Sequence, residues 1–329
     1  MKDQLPLLFM YKFIFNLEAS EDMRLPEYKG SMFRGAFGWS FRNAVCVTKK
    51  SSCSDCMLMN QCAYFKIFET EAPDNNIWFL KGVRKTPHPF IIHPPPEDKR
   101  DYKKGEVLKV GLTIFGEMVK YFPFFVYTFQ QMGKQGLSVN RNKFRLTGVS
   151  SINNEGKEEL VFEVATDRLT TEYQQIKADE SSSEQSSDIK EFTLEFLTPA
   201  RLQKEGTTLS NPCRVTLELL VALLERRYYS LSHLFCNAGY KKYPSFLVNG
   251  RGRITENKLY FHDWERYSSR QDRKIELGGF RGEIKIEGDI SFLLPLFSTG
   301  VNIHIGKNTI FGLGKYRLLY SVDNQPDKN

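Results

Sequence analysis

The sequence predicts an α+β fold made of two tandem ferredoxin-like domains, each with the element order βαββαβ. The chain has 329 residues, which favours two domains that each bury a core of their own. Each half alternates strand-like and helix-like segments in the same order and ends in a glycine-bearing loop followed by a strand. A segment rich in serine and acidic residues, 176–190, separates the halves. We therefore predict domains at residues 1–175 and 191–329, with 176–190 as a linker or mobile loop.

The composition is that of a globular protein with a basic balance of charge. Hydrophobic residues make up 41% of the chain, charged residues 26%, and the net charge at pH 7 is +7. Such a balance favours a polyanionic partner such as nucleic acid, and an aromatic content of 13% leaves rings that can stack on bases. The longest apolar run, around residues 122–129, is too short to span a bilayer, and no targeting segment is visible. We expect a cytoplasmic protein with no membrane partner.

The first half begins with a strand and a helix. Residues 7–17 are rich in aromatic and branched residues with partial alternation, which predicts a strand. In residues 31–46, phenylalanines recur every fourth residue, which predicts a helix with one apolar face capped by Ser31. The remaining patterns predict a short strand or turn at 62–69, a strand at 107–114, a helix at 117–132, a loop at 133–138, and strands at 144–149 and 160–164.

Four cysteines lie close together between the first helix and the next strand. Cys46, Cys53, Cys56 and Cys62 follow the spacing C-x6-C-x2-C-x5-C. Four thiolates can close a tetrahedral zinc site, and the C-x2-C step is typical of a zinc knuckle. The alternative is that the cysteines are free thiols, because the outer spacings are not those of a standard ribbon. We predict a small cysteine-cluster insertion in the first domain that holds a structural zinc ion, with no open position for chemistry.

The second half repeats the order of elements. Residues 192–197 form a predicted strand, and Asn211 followed by Pro212 predicts the capped start of a long amphipathic helix. Further strands are predicted at 258–262, 275–277 and 282–287, and a short helix at 291–297.

The stretch from Gly300 to Tyr316 reads G-V-N-I-H-I-G-K-N-T-I-F-G-L-G-K-Y and predicts a phosphate-binding loop. Its glycines allow positive φ and a close approach of the backbone to a ligand. Cationic and phenolic side chains supply contacts for a phosphate, and His304 titrates near neutral pH, which makes it the candidate for proton transfer. A glycine-rich turn with a solvated histidine is the alternative. The predicted RNA-binding residues of this loop are Gly306, Lys307, Gly312, Gly314, Lys315 and Tyr316.

Two further groups of basic residues are candidates for RNA contact. Arg266 and Arg270 lie in a basic run that also contains Trp264 and Tyr267, a mixture typical of RNA-binding surfaces. A solvated face is the alternative, because acidic residues interleave. Arg34 is placed near the start of the first helix, where the helix dipole favours a phosphate, and a structural salt bridge is its alternative.

Five segments, in this order, resemble the CRISPR-associated endoribonucleases of the RAMP superfamily that cut precursor CRISPR RNA. F-R-G-A-F-G at 33–38 is similar to the family's first-helix signature, and the cysteines leading into C-A-Y-F-K-I-F-E at 62–69 resemble a cysteine-containing subgroup. F-L-T-P-A-R-L at 196–202 resembles the strand that opens the second domain. W-E-R-Y-S-S-R-Q at 264–271 resembles the stretch ahead of a central hairpin, and residues 304–316 the terminal glycine-rich loop.

The resemblance implies metal-independent cleavage of CRISPR repeat RNA, with no cofactor for catalysis. The ribose 2′-hydroxyl attacks the adjacent phosphate and leaves a 2′,3′-cyclic phosphate and a 5′-hydroxyl. This reaction needs a base for the 2′-hydroxyl, an acid for the leaving oxygen, and cations for the charge of the transition state.

The chain departs from the family pattern in one respect. Many members place a catalytic histidine in or near the first helix, whereas residues 28–50 contain none. Three alternatives follow: His304 transfers the proton, assisted by Lys307 and by Tyr267 or Tyr316; catalysis proceeds through tyrosine and lysine without histidine; or the protein binds RNA without cutting it. The last would make it a non-catalytic RNA-binding subunit, with proteins of a CRISPR effector complex as partners. We expect the first, because imidazole has the pKa best suited to acid–base work.

Overall fold

The computed structural model describes residues 5–69, 71, 77–81, 86–96, 99–138, 140–178, 189–238, 246, 248–268 and 273–320, with the backbone alone for 265–268 and 273–275. The contacts of the chain divide it into two compact units. The first unit comprises residues 8–176 and 230–238, and the second comprises 1–7, 177–229 and 239–329.

The first unit is built on an antiparallel sheet with β1 at its centre. The order β3-β5-β1-β6 corresponds to positions 2-3-1-4 of a βαββαβ chain, which is the ferredoxin-like order. In β1, Phe13, Phe15 and Leu17 alternate with less buried residues and point into the core, so the strand faces the helices on one side. The strands are β1 (Phe9–Ala19), β2 (Met23–Arg24), β3 (Phe90–His93), β4 (Asp101–Tyr102), β5 (Val107–Phe115), β6 (Phe144–Ile152), β7 (Glu158–Glu163), β8 (Arg168–Leu169) and β9 (Gln175–Lys177).

Two helices pack against each other in this unit: α1 (Gly30–Val45) and α2 (Phe122–Gln135). The predicted phenylalanine face of α1 is confirmed, since Phe37 is fully buried and stacks on Phe125 of α2 with ring centroids 5.1 Å apart. The predicted loop at 133–138 is wrong in its first three residues, which continue α2. A glycine is required at position 133 of this helix, because the backbone of Phe144 approaches so closely that a Cβ would overlap its carbonyl oxygen.

The second unit repeats the ferredoxin-like order. Its sheet runs β13-β17-β10-β18, again positions 2-3-1-4, and β14 pairs with β17. The predicted tandem fold is thereby confirmed. The elements are β10 (Glu191–Ala200), β11 (Gln203–Lys204), β12 (Thr207–Thr208), α3 (Leu217–Phe235), β13 (Gly252–Asn257), β14 (Tyr260–His262), β15 (Glu265–Ser268), β16 (Arg273–Glu276), β17 (Gly279–Gly288), α4 (Leu294–Ile303) and β18 (Tyr316–Leu319).

Three further local predictions differ from the structure. Residues 65–69 form a π-helix rather than a strand or turn, because Ile67 and Phe68 pack into the core from one side of the segment. Asn211 caps a short 3-10 helix (Pro212–Arg214) through the Cys213 amide, and α3 begins only at Leu217. The first two residues of the predicted linker at 176–190 belong to β9 (Gln175–Lys177), while residues 179–188 lie outside the described part. Among the helices of the described residues, none has the length and apolar character needed to cross a membrane.

Candidate nucleic-acid interface

The glycine-rich segment folds against the end of β10. It leaves α4 at Ile303 and enters β18 at Tyr316. Gly306, Gly312 and Gly314 have positive φ of 87°, 85° and 72°, as predicted. A Cβ on Gly306 would overlap the Arg201 carbonyl oxygen. The close approach that Gly306 and Gly314 allow is therefore to the protein's own backbone.

The amides of the loop donate to protein carbonyls. The Gly314 N–H donates to Pro199 O at 3.0 Å, and the Lys307 N–H donates to Arg201 O at 2.9 Å. The Gly312 N–H closes a turn on Thr309 O, and the Thr198 hydroxyl donates to the Gly312 carbonyl at 2.9 Å. The prediction that Gly312 and Gly314 contact RNA does not fit this geometry, because their amide donors are already used. These bonds join the 196–202 and 304–316 segments into one folded unit.

His304 is buried within these two joined segments and exposes 0% of its surface. It ends α4 with φ 61° and ψ 163°, a backbone conformation that residues other than glycine seldom adopt. Its Nδ1 donates to the Leu313 carbonyl at 3.0 Å, since a carbonyl can only accept. A general acid or base has to reach the substrate. The predicted catalytic role of His304 therefore does not fit this structure, in which the ring holds the loop together.

Tyr316 is likewise part of the core rather than a contact for RNA. It is 1% exposed, its hydroxyl donates to Phe297 O at 2.6 Å, and burial raises the pKa of that hydroxyl. Gly300 makes room for this contact, because a Cβ there would overlap the Tyr316 oxygen. The predicted RNA contact of Tyr316 is therefore replaced by a structural one between α4 and β18.

Lys307 is the predicted loop residue that remains available to an anion. The residue is exposed, and within the described residues it makes no ion pair with a carboxylate. Crowding of its ammonium by protein, and then the charge of Arg226, lower the pKa of Lys307. Lys315 is half-buried, and burial followed by Arg317 lowers its pKa. Arg317 is itself paired with Glu195 at 3.2 Å.

Two arginines of α3 belong to this region and were missed from the sequence. Arg226 is exposed and acts on Lys307, while the Nε of Arg227 donates to the carbonyl of Ile303 at the end of α4. Burial lowers the pKa of the Arg227 guanidinium. A signal was present, because Arg227 lies three residues after Leu224 and four before Leu231, on the apolar stripe of the helix. A cation at such a position indicates a buried polar contact.

The basic run at 264–274 contributes to two short strands, β15 and β16. β15 and β16 pair antiparallel, with Tyr267 opposite Lys274 and Arg266 opposite Ile275. Arg270 lies outside the described residues, as do the side chains of Arg266 and Tyr267. Their predicted roles in RNA binding and catalysis stay predictions.

Arg34 packs on the first unit's own aromatic core. Its guanidinium lies 5.0 Å from the centroid of the Phe68 ring, and its side chain runs over Gly38, where a Cβ would leave it no room. This packing explains Gly38 in the helix. The Arg34 guanidinium is directed at Phe68 and not at the start of the helix. The predicted contact of Arg34 with a phosphate stays a prediction.

The four clustered cysteines line one cavity of about 420 Å³, together with Tyr64, Tyr121 and Phe124. Cys46, Cys53, Cys56 and Cys62 are free thiols of intermediate exposure. Within the described residues, no three cysteine, histidine or acidic side chains converge closely enough to hold a metal ion. The arrangement as it stands does not form a tetrahedral site, and zinc binding stays a prediction that requires the thiols to turn into the shared cavity.

Family models match both halves of the chain. Residues 6–174 match the model described as AF_1859_N, N-terminal domain, and residues 194–316 match the model described as CRISPR-associated endoribonuclease Cas6. A protein of Archaeoglobus fulgidus described as uncharacterized is 27% identical over 300 residues, which cover 89% of this chain and 92% of that protein.

Solved structures share the fold at low sequence identity. A chain of a partial Cas6-RT-Cas1–Cas2 complex aligns with a TM-score of 0.56 and 14% identity over 98% of this chain and 48% of its own length. This chain therefore spans about half the length of that relative. A Cas6 product complex aligns with a TM-score of 0.54 and 18% identity over 94% of this chain and 100% of its own. The AF_1859_N model matches just over half of the chain, so the chain belongs to the family that this model describes, and its residues 194–316 are similar to the Cas6 endoribonuclease model.

Proposed function

We propose that the protein is a metal-independent endoribonuclease that cleaves CRISPR repeat RNA within precursor transcripts. The observation that carries the proposal is the match of residues 194–316 to the Cas6 model. That range begins within β10, includes both arginines of α3, and ends with the loop that presents Lys307. The cationic side chains around this loop give the polyanionic substrate a place to bind.

In the proposed reaction, the ribose 2′-hydroxyl attacks the adjacent phosphorus and the 5′-oxygen leaves. The products are a 2′,3′-cyclic phosphate and a 5′-hydroxyl, so the reaction consumes no water and its equation contains no metal ion. Lys307 and Arg226 supply positive charge for the phosphorane-like transition state. The lowered pKa of Lys307 makes its ammonium a better proton donor near neutral pH than an ordinary lysine. Tyr267 is the second candidate for proton transfer, and His304 positions the loop.

Single-turnover cleavage in the presence of a chelator tests this proposal. A labelled repeat RNA from the protein's own genomic neighbourhood is incubated with excess protein and EDTA. We expect one cut per repeat at a fixed position. The upstream product should carry a cyclic phosphate that an ordinary phosphatase removes only after acid has opened it to a monophosphate. Cleavage that appears only after Mg²⁺ is added would contradict the metal-independent mechanism.

A second candidate is a non-catalytic RNA-binding subunit that works with other proteins of a CRISPR effector complex. The burial of His304, together with the lack of any histidine in residues 28–50, favours this candidate. It predicts that the protein binds repeat RNA with a strong dependence on salt and yields no cyclic-phosphate product at any protein concentration. The same incubation therefore separates the two candidates.

A further inference from the structure

Helix α1 presents one large aromatic ring to solvent. Trp39 is 61% exposed, whereas Phe33, Phe37 and Phe41 of the same helix are fully buried. The exposed ring is not needed for the core, because the phenylalanine face already packs α1 against α2. An exposed tryptophan with no packing role is a candidate for ligand contact.

Gly35 leaves the surface beside this ring bare. Residues four apart in a helix lie on the same face, so Gly35 is the neighbour of Trp39 one turn earlier. A Cβ at Gly35 would meet no atom within 4 Å, and Gly35 is not among the residues with positive φ. A glycine inside a helix is less favourable than alanine, so neither packing nor backbone conformation accounts for this one. Gly38 differs, since the Arg34 side chain occupies the space of its Cβ.

The charge around Trp39 favours an anionic partner. Helix α1 contains two arginines and no acidic residue. Arg42 lies three residues after Trp39, and its guanidinium donates to the carbonyl oxygens of Lys50 and Ser51, which hold it in place without neutralising it. On the helix itself, the exposed neighbours of Trp39 along its face are Gly35 and Asn43 rather than apolar side chains. A single flat ring in a positive field suits a nucleobase better than an apolar protein surface.

We propose that Trp39 and Gly35 form a stacking platform for one unpaired base of single-stranded RNA. The base lies on the face of the indole, the bare helix flank at Gly35 admits the sugar and the edge of the base, and the fixed charge of Arg42 attracts the adjacent phosphate. The platform rests on RNA as the ligand of the proposed function, and not on RNA cleavage.

RNA binding by matched variants tests the platform. The probe is a fluorescently labelled, single-stranded 20-nucleotide repeat RNA, titrated with the full chain. Stacking of one base predicts about 5- to 100-fold weaker binding for Trp39→Ala and nearly full binding for Trp39→Tyr. Trp78→Ala is the control, because Trp78 is also an exposed tryptophan of the first unit, at 44%, and we expect no effect there. Equal affinity of wild type and Trp39→Ala would overturn the proposal and leave the ring to a protein contact.

Gly35→Leu provides a test that misfolding cannot mimic. Leucine favours the helix over glycine, so the melting temperature should rise, while the bulky side chain beside Trp39 should weaken RNA binding several-fold. A gain in melting temperature with unchanged RNA binding would contradict the platform.

Tryptophan fluorescence tests direct stacking. In a Trp78→Phe/Trp264→Phe variant, Trp39 is the only tryptophan, and saturation with the RNA should quench its fluorescence. Unchanged emission would overturn direct stacking.

The outcomes separate this inference from the cleavage proposal. If the wild-type protein binds the RNA through Trp39 and does not cut it, the endoribonuclease proposal is contradicted and the stacking platform is supported. If wild type and Trp39→Ala cut repeat RNA equally well at RNA concentrations below the wild-type Kd, the endoribonuclease proposal is supported and the stacking platform is contradicted. Wild-type protein that binds no RNA would overturn both.

Discussion

At the scale of single residues, His304 shows how a histidine in a glycine-rich loop can serve structure. It terminates α4 with a positive φ and an extended ψ, and its ring donates a hydrogen bond to Leu313 on the far side of the loop. Such a conformation costs free energy of about 1–3 kcal/mol, which the buried contacts of the ring offset. The residue therefore determines the shape of the segment that presents Lys307.

Substitution of His304 distinguishes a structural role from proton transfer. The amide nitrogen of asparagine occupies nearly the position of Nδ1 and can donate the same hydrogen bond to the Leu313 carbonyl, while the backbone strain at position 304 is unchanged. We expect His304→Asn to keep cleavage within ~10-fold of wild type, whereas loss of a general acid or base costs ~10²–10⁴-fold. His304→Ala should lower the free energy of unfolding by about 1–3 kcal/mol through loss of the buried hydrogen bond and packing. Chemical denaturation and single-turnover cleavage measure the two effects, and an inactive but fully stable His304→Asn would restore the catalytic assignment.

Lys307 should make RNA binding sensitive to high pH. Its pKa is lowered, so the ammonium loses its proton, and the site loses a charge, at a lower pH than for an ordinary lysine. Binding should therefore weaken as the pH rises through that lowered value. Lys307→Arg keeps the charge to higher pH and should flatten the dependence. Titrations at several pH values check this, and identical pH profiles for the two proteins would argue against a role for Lys307 in binding.

Neutralising Lys307 has a second expected effect on the same complex. Lys307→Gln should weaken binding to any RNA sequence and reduce the slope of log K against log salt by about 1, as for the loss of one phosphate contact. Lys204→Gln, on the β11–β12 hairpin of the same unit, is a control that removes an exposed charge elsewhere. An equal change in slope for both variants would indicate a general charge effect rather than a contact.

At the scale of elements, the two ends of the glycine-rich loop meet because glycine lets the backbone approach itself closely. A Cβ on Gly314 would overlap the Ile305 carbonyl oxygen, in addition to the cost of positive φ. We expect Gly314→Ala to lower the free energy of unfolding by roughly 2–5 kcal/mol and to weaken RNA binding. Gly206→Ala is the matched control, with φ of 81° and no atom near the added Cβ, and should cost only about 1–2 kcal/mol. Equal losses of stability would show that backbone contact at Gly314 is unimportant.

The cysteine cluster is the candidate zinc site of the first unit. If the thiols turn into their shared cavity to bind zinc, metal analysis of protein purified without chelator should find about one zinc per chain. Cys53→Ser/Cys56→Ser should lose it, and Cys213→Ser, at an exposed cysteine outside the cluster, should keep it. The same metal content in all three proteins would rule out a site at these thiols.

At the scale of the whole molecule, the duplicated βαββαβ order was predictable because period-2 and period-3.6 patterns report strands and helices directly. The phenylalanine face of α1 and the positive φ of Gly306, Gly312 and Gly314 followed from the same local rules. The burial of His304 and Tyr316 was not predictable, because a polar side chain looks alike in sequence whether it faces solvent or a core carbonyl. Arg227 was overlooked because a dibasic pair on a long helix ordinarily lies on a solvated face, although its position on the apolar stripe of α3 indicated a buried contact.

The proposal at this scale is that the chain cuts repeat RNA through the substrate's own 2′-hydroxyl. Replacing the single ribose on the 5′ side of the cut by 2′-deoxyribose removes that nucleophile and leaves every protein contact to phosphates and bases in place. We predict that the all-ribose repeat is cleaved in EDTA, and that the deoxy-substituted repeat binds with the same Kd and is not cleaved. Cleavage of the deoxy-substituted RNA at the same bond, or no cleavage of either RNA, would contradict the account.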